Sequence, residues 1–523
     1  MPAARRTGNV TGAQRGLTDQ ALGGMLWTFS GTGVQGVVQL LALMALGRLL
    51  TPAEFGLMGA ATVVIAFSQI VSHVGVGPAI VQRRDLNDTH IRTAFTISGG
   101  LGLVLGVVVW FAAPSIAAFY RMPSVEPILR VVALLFPIDG LNTVGKSLLM
   151  RALRFRLYVA IDVGSYILGY ACIGVLLAWY GYGVWALVAA NMLQVALRTV
   201  AMYVVTRHSL RPSLNWPASR DLLSFGVGHS LAQFALVLSQ QGDNLIVGRW
   251  LGPAALGIYG RAYNLMVLPA TAFGKIVNRV LFPIMSRVQD ERDRLAGGYE
   301  RALAIVALIS LPVSATLWIV APEFIPVLLG PNWTGVVLPF RLFTCGLFFR
   351  MSSKVTDACV KAAGAVYPRA LIQGIYAVLV VVSALVGQRW GIGGVAVAVS
   401  IAMGINWLMM ATLGRSVTGL SWRRFVSAQV PSVLLAALVG VTVALTVHAA
   451  RAAQLGKLLV LLVAALTAAS VLYAAYRAGS AQLLGPHGAW AFGRAAEMAH
   501  RRRGGYGQVT EPGASASRRG SQV

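Results

Sequence analysis

Residues 45–61 read ALGRLLTPAEFGLMGAA, and residues 246–262 read IVGRWLGPAALGIYGRA. At an offset of 201 residues, eight of the seventeen positions are identical: Gly47/Gly248, Arg48/Arg249, Leu50/Leu251, Pro52/Pro253, Ala53/Ala254, Gly56/Gly257, Gly59/Gly260 and Ala61/Ala262. A match of that length and order marks a duplicated architecture rather than shared composition. In each copy the proline stops a preceding helix and the glycines permit close helix packing. The motif therefore reads as structural, a tight turn on the outer side of each half. Its carriers are Gly47, Arg48, Pro52 and Gly56, then Gly248, Arg249, Pro253 and Gly257.

What surrounds the motif is membrane. The chain is 57% hydrophobic with 11% charged residues, whereas a soluble domain carries about a quarter charged residues. Apolar runs of the roughly 20 residues that an α-helix needs to cross a bilayer recur along nearly the whole length. They predict an all-α polytopic protein with about fourteen spans: two six-helix lobes over 24–206 and 222–413, and two further helices within 430–476. Residues 1–23 and the Gly-, Arg- and Ser-rich tail 477–523 are expected to be cytoplasmic, the tail disordered. Six spans separate the motif copies, so both face the same side. That is a parallel repeat, in which substrate binds between the lobes.

A net charge of +26 would suggest nucleic acid in a soluble protein. Here the cations fall in alternate loops: Arg83, Arg84 and Arg92; Arg151, Arg154 and Arg156; Arg207, Arg211 and Arg220; Arg287, Arg292, Arg294 and Arg301; Arg423 and Arg424. The opposite loops carry about one each: Arg48, Arg121, Arg249, Arg389 and Arg451. This asymmetry predicts cytoplasmic termini and explains the charge by anionic lipid, with no nucleic-acid partner. The three cysteines, Cys172, Cys345 and Cys359, lack metal-ligand spacing and read as apolar packers, and the seven histidines are scattered. No hydrolase, phosphate-loop or zinc-protease motif appears, so no catalytic residue, metal or cofactor is expected.

Five ordered stretches carry a family resemblance: GRLLTPAEFGLMGAATV, AIVQRRDLNDTHIRTAF, FYRMPSVEPILRVVAL, GDNLIVGRWLGPAALGIYGRAYNL and NRVLFPIMSRVQDERDRLAGGYERAL. Together they closely resemble the Wzx-type polysaccharide exporters, particularly the WzxC-like branch of the flippase superfamily. The resemblance runs from about residue 20 to about residue 425. It implies a non-enzymatic flippase in the bacterial inner membrane. The implied cargo is an undecaprenyl-diphosphate-linked oligosaccharide, moved by alternating access, with membrane lipid, the polysaccharide polymerase and the chain-length machinery as further partners. A lipid II flippase is the nearest alternative. A multidrug cation antiporter is disfavoured by the excess of embedded cations, and a membrane glycosyltransferase or polymerase by short outer loops, the longest expected at 321–337.

A diphosphate cargo needs a hydrated cationic cavity, and ionisable residues inside spans are the candidates. In the eighth span Arg261, Asn264, Lys275, Asn278 and Arg279 share an arc of roughly 100°, with Pro269 and Pro283 expected to kink the helix. Lys275, Arg279 and Asn264 are taken as cavity candidates, Lys275 foremost. In the tenth span Arg350, Lys354, Asp357 and Lys361 form one stripe in which Lys354 can pair with Asp357. Lys146 behind Pro137, the isolated Arg198, and the repeat-equivalent amides Gln39 and Gln240 complete the set. Asp243 is open to three readings: counter-ion to a cavity cation, proton or sodium site, or partner of Arg249 or Arg261.

Overall fold

The computed structural model describes residues 33, 35–72, 76–83, 85–217, 219 and 226–478. The N-terminal segment, the start of the first predicted span and the basic tail fall outside them. In chain order the elements are α1 (Gln35–Leu49), α2 (Pro52–Ser72), α3 (Val76–Gln82), α4 (Asp88–Tyr120), α5 (Val125–Ala133) and α6 (Leu135–Arg151). Next come α7 (Phe155–Trp179), α8 (Val184–Thr206), α9 (Gly226–Ile276), α10 (Phe282–Arg287), α11 (Arg292–Leu329), α12 (Val337–Cys345) and α13 (Leu347–Ala362). The last are α14 (Val366–Gly387), α15 (Gly391–Thr418), α16 (Trp422–Ser427), α17 (Val430–Ala452) and α18 (Lys457–Arg477).

The protein is all-α and multi-pass. Nine helical stretches among the described residues are long and apolar enough to cross a membrane, ten if the pair Pro331–Cys345 and Leu347–Ala362, bent by 43°, is one span. Two of the nine, Gln233–Arg287 with 55 residues and Val366–Thr418 with 53, would each run about 80 Å if straight. That is more than twice the roughly 30 Å of hydrocarbon in a bilayer. The first breaks at Gly252, whose φ of 88° a glycine adopts without strain.

That break precedes Pro253, so the second motif copy folds as the first does, where Pro52 opens α2. Among the described residues, α2 and α9 pack against each other most extensively. At their crossing a methyl group on Gly56 would overlap the carbonyl oxygen of Pro253, and one on Gly257 would overlap that of Pro52. The two copies therefore meet each other, and the contact is reciprocal. Their flanks are reciprocal as well. Gly47 lies under Leu329, Arg48 donates to the Val327 carbonyl at 3.0 Å, and the buried Trp333 indole donates to the Gly47 carbonyl at 2.6 Å. Gly248 lies against the Tyr120 ring, and Arg249 stacks over Phe119 at 5.6 Å. Each copy thus grips the end of a long helix in the other half, α11 or α4.

Some expectations need correction. Residues 321–337 are mostly not a loop: α11 continues to Leu329 despite Pro322 and Pro326, because Ile325 and Leu329 are fully buried and Phe324 stacks on Phe340 at 5.7 Å. Burial there outweighs the proline penalty. In the eighth span the departures from α geometry fall at Gly252 and in a π-turn, Val277–Leu281, which widens the helix just before Pro283. Of the cysteines only Cys359 is buried, while Cys172 and Cys345 are exposed.

The last two helices are fastened to α11. Leu435, Val439, Val443 and Val447 recur at i, i+4 along α17 and pack with Leu308 and Val320 of α11 and Val460 and Ala464 of α18. Ion pairs pin both ends, Arg424 to Glu300 at 2.5 Å and Arg451 to Glu323 through two contacts of 2.8 Å. The Glu323 side chain is 11% exposed. In Arg451→Met it becomes an unpaired, mostly buried carboxylate, so the unfolding temperature in detergent should fall by several degrees. Adding Glu323→Leu should recover most of the loss. A double variant as unstable as the single one would show that the pair does not fasten α17.

Candidate functional site

Beyond the motif crossing, α2 and the second limb of α9 line a cavity of about 620 Å³ together with α1, α6, α7 and α8. From α2 it takes Phe55, Met58, Thr62, Ile65, Ala66 and Gln69, one face at three- and four-residue spacing. From α9 it takes Arg261, Asn264, Leu265, Leu268 and Thr271, so the helices that meet at the crossing also wall the cavity. Gln39, Asn191 and Gln194 add amides, and Tyr166 and Tyr170 add hydroxyls. Asn191 donates to the Tyr170 hydroxyl at 3.1 Å.

Three ionisable groups other than tyrosine line this cavity: Asp139, Arg198 and Arg261. Arg198, isolated in the sequence, is not isolated in space. It contacts Asp139 at 2.9 Å and Asp162 at 3.7 Å, and Asp162 also accepts from Gln35 at 3.0 Å. Two carboxylates therefore answer its charge. Arg261 is different: its guanidinium lies 4.2 Å from the Phe55 ring centroid, and among the described residues it has no ion pair or hydrogen bond. It is seated on an aromatic face inside the cavity with its N–H donors uncommitted among the described residues.

A second cavity, of about 120 Å³, lies within the second half and includes Ser239, Gln240, Arg350, Ser353, Lys354, Asp357, Arg369 and Gln373 in its lining. Lys354 does not pair with Asp357. That carboxylate is taken by Lys361 at 2.6 Å and by Arg369 of the next helix, because i, i+4 spacing and an adjoining guanidinium reach it better. Arg350 donates to the Tyr263 hydroxyl at 2.7 Å. Asp243 is fully buried and accepts from the Tyr259 hydroxyl at 2.7 Å; neither Arg249 nor Arg261 is its partner.

The structure thus brings Gln39, Arg198 and Asn264 together around the large cavity and Gln240, Arg350 and Lys354 around the small one. Lys146, Lys275 and Arg279 line neither. Lys275 is exposed, while Lys146 and Arg279 are half-buried. Sequence reasoning passed over Asn191 and Gln194, although Asn191, Gln194 and Arg198 fall at i, i+3 and i+7 on one helix face. It also ranked Arg261 below Lys275, since span depth was counted and pairing could not be.

Residues 45–338 match the family model described as "Polysaccharide biosynthesis protein". Among curated proteins, the chain is 24% identical over 328 residues to the lipopolysaccharide biosynthesis protein WzxC of Escherichia coli (strain K12), covering 62% of this chain and 66% of that protein. It is 27% identical over 325 residues to the teichuronic acid biosynthesis protein TuaB of Bacillus subtilis (strain 168), covering 61% and 67%. It therefore spans about two thirds of the length of the curated relatives it matches. Its fold is similar to that of the lipid II flippase MurJ in an inward closed conformation, with a TM-score of 0.69 at 13% identity over 87% of this chain and 99% of that one. An inward-facing multidrug resistance MATE family transporter of the MOP superfamily follows, with a TM-score of 0.59 at 19% identity over 74% and 96%. The chain is a multi-pass bacterial membrane protein of the polysaccharide biosynthesis protein family, related to the lipopolysaccharide biosynthesis protein WzxC.

Proposed function

We propose that the chain is a flippase for an undecaprenyl-diphosphate-linked oligosaccharide, moving the repeat unit from the cytoplasmic to the outer leaflet of the plasma membrane for polysaccharide export. The observation that carries the reading is Arg261, a guanidinium with no ion pair among the described residues, in an amide- and hydroxyl-rich cavity. Guanidinium binds phosphate oxygens in bidentate fashion, and the amides of Gln39, Asn191, Gln194 and Asn264 suit sugar hydroxyls. Arg198, Lys354 and Arg350 form the rest of the cationic lining, with Gln240 beside the latter two. Lys275 and Arg279 lie 14 and 18 residues beyond Arg261 in the sequence and serve as entry cations at the inner mouth, as Lys146 does on the first half. Relatives named for lipopolysaccharide and teichuronic acid biosynthesis support the sugar class. The polymerase and chain-length machinery would take the product.

In this reading fourteen spans form two six-helix lobes, 24–206 and 222–413, in a parallel pseudo-twofold repeat, with both termini cytoplasmic and two appended helices. The reciprocal crossing of Gly56 on Pro253 and Gly257 on Pro52 is the outer gate, closed while the cavity faces inward. It is built from close packing, Cα–H···O contacts worth about 0.5–1 kcal/mol each, and the hydrogen bonds from Arg48 and Trp333. Among the described residues no ion pair crosses at the glycines, so parting the gate there strands no charge. Asp243 stays a counter-ion to Arg350 through the tyrosines between them.

Replacing Arg261 by Gln should lower polymer export by about tenfold or more at normal protein abundance, while Arg261→Lys should retain an intermediate level. Normal export from Arg261→Gln would remove the carrying observation. For the gate, Gly56→Ala or Gly257→Ala should let a cysteine at Asn264 react with an impermeant thiol reagent added outside, in a chain lacking its native cysteines; continued protection would mean that the crossing does not seal. For topology, a cysteine at Asn332 should label from outside and one at Asp290 only after permeabilisation, and the reverse pattern would invert the orientation.

A further inference from the structure

The duplicated halves treat one arginine differently. Arg130 and Arg341, aligned by the weaker match of LRVVALLF at 129–136 to FRLFTCGL at 340–347 at an offset of 211, each lie over a tryptophan of the preceding long helix, Trp110 at 6.0 Å and Trp318 at 5.0 Å. Arg130 is also paired with Glu126 at 2.7 Å. At the same 211-residue offset that maps Arg130 onto Arg341, position 126 maps to Val337, so the second half has lost the carboxylate. Arg341 Nε donates to the Trp318 carbonyl at 2.9 Å, and among the described residues its two η-nitrogens meet no carboxylate.

These η-nitrogens stand at the rim of a groove of about 470 Å³ between α11, α12 and α17. Along α17 the groove takes Val441, Ala444, Leu445 and His448, a stripe at i, i+3, i+4 and i+7. It is about 10 Å long at 1.5 Å per residue. Three apolar side chains thus lead up to a histidine, and Trp318, Ile319 and Arg341 form the opposite wall. Arg451, also on the rim, is committed to Glu323. The groove lies at the membrane face opposite the arginine-rich loops and shares no lining residue with either cavity.

We infer that this groove binds one anionic phospholipid, with its phosphate on Arg341 and His448 and an acyl chain along Val441, Ala444 and Leu445. The apolar stripe selects a hydrocarbon chain over a free anion, and the unpaired guanidinium selects a negative headgroup over a zwitterionic one. Two donors at one rim suit a single phosphate better than a diphosphate. On this view the two appended helices complete a lipid seat that holds the second half in its leaflet, a role that does not depend on the transported cargo.

The purified full chain is titrated in detergent with palmitoyl-oleoyl phosphatidylglycerol or phosphatidylcholine, and retained lipid is counted by native mass spectrometry. One phosphatidylglycerol per chain should be held about tenfold more tightly than phosphatidylcholine. The Arg341→Gln/His448→Gln variant should bring the two lipids to parity, and Leu445→Trp, which fills the groove with the charges intact, should release both. Excess inorganic phosphate should displace neither. Equal retention of both lipids by the wild-type chain, an unchanged preference in either variant, displacement by phosphate or by a prenyl diphosphate, or a second copy of the chain occupying the groove would overturn the inference. Should the double variant fail to fold, Leu445→Trp alone decides the outcome.

Discussion

Two glycine α-carbons pressed against two proline carbonyl oxygens set the geometry on which the rest of the structure depends. Gly56 on Pro253 and Gly257 on Pro52 bring α2 and α9 to a separation that no side chain permits. Because the partners are repeat equivalents, the contact is satisfied from both sides at once, and a change in either copy disturbs it. Everything that faces the large cavity from α2 and α9 is aimed by this crossing: Phe55 lies one residue from Gly56, and Arg261 lies one turn from Gly257. The cation–aromatic stack of Arg261 on Phe55 therefore forms between the two copies of one motif.

Charge in a membrane protein acts where it is not already answered. By composition the embedded cations exceed the acids, which suggests a cavity that is positive all round. In space part of the charge is answered: Arg198 by Asp139 and Asp162, Arg130 by Glu126, Lys361 and Arg369 by Asp357, Arg424 by Glu300 and Arg451 by Glu323. Such pairs are held because breaking one inside the protein leaves an uncompensated charge. Among the described residues, the cations that meet no carboxylate include Arg261 in the large cavity, Arg350 and Lys354 in the small one and Arg341 at the rim of the groove between α11, α12 and α17. One such guanidinium in the large cavity suits a transporter, which must bind its cargo firmly enough to take it and weakly enough to let it go.

The helices and the duplication were legible because both are written in local pattern, apolar runs of fixed length and an ordered match at one offset. The meaning of the motif was not legible. Its glycines and prolines read equally well as a turn, and only the fold brings residue 56 to residue 253. Pairing was hidden for the same reason: the partners of Arg198 lie 59 and 36 residues away in the sequence, and Asp357 chose an arginine from the following helix over the lysine three residues before it. Lys275 looked deep because depth was counted from the ends of an ideal span, whereas it is exposed, two residues before the π-turn. The stripe of Asn191, Gln194 and Arg198 could have been found by the helical spacing used elsewhere.

The proposed function requires the cavity to pass an anionic lipid-linked saccharide across the membrane. The most direct test reconstitutes the purified chain into liposomes carrying a prenyl-diphosphate-linked oligosaccharide in both leaflets. The fraction of saccharide reached by a membrane-impermeant glycosidase added outside is then followed over time. With the protein present, cleavage should proceed past the outer-leaflet half toward completion, whereas protein-free liposomes should stop at half. Cleavage that stops at half in both would contradict the proposed function.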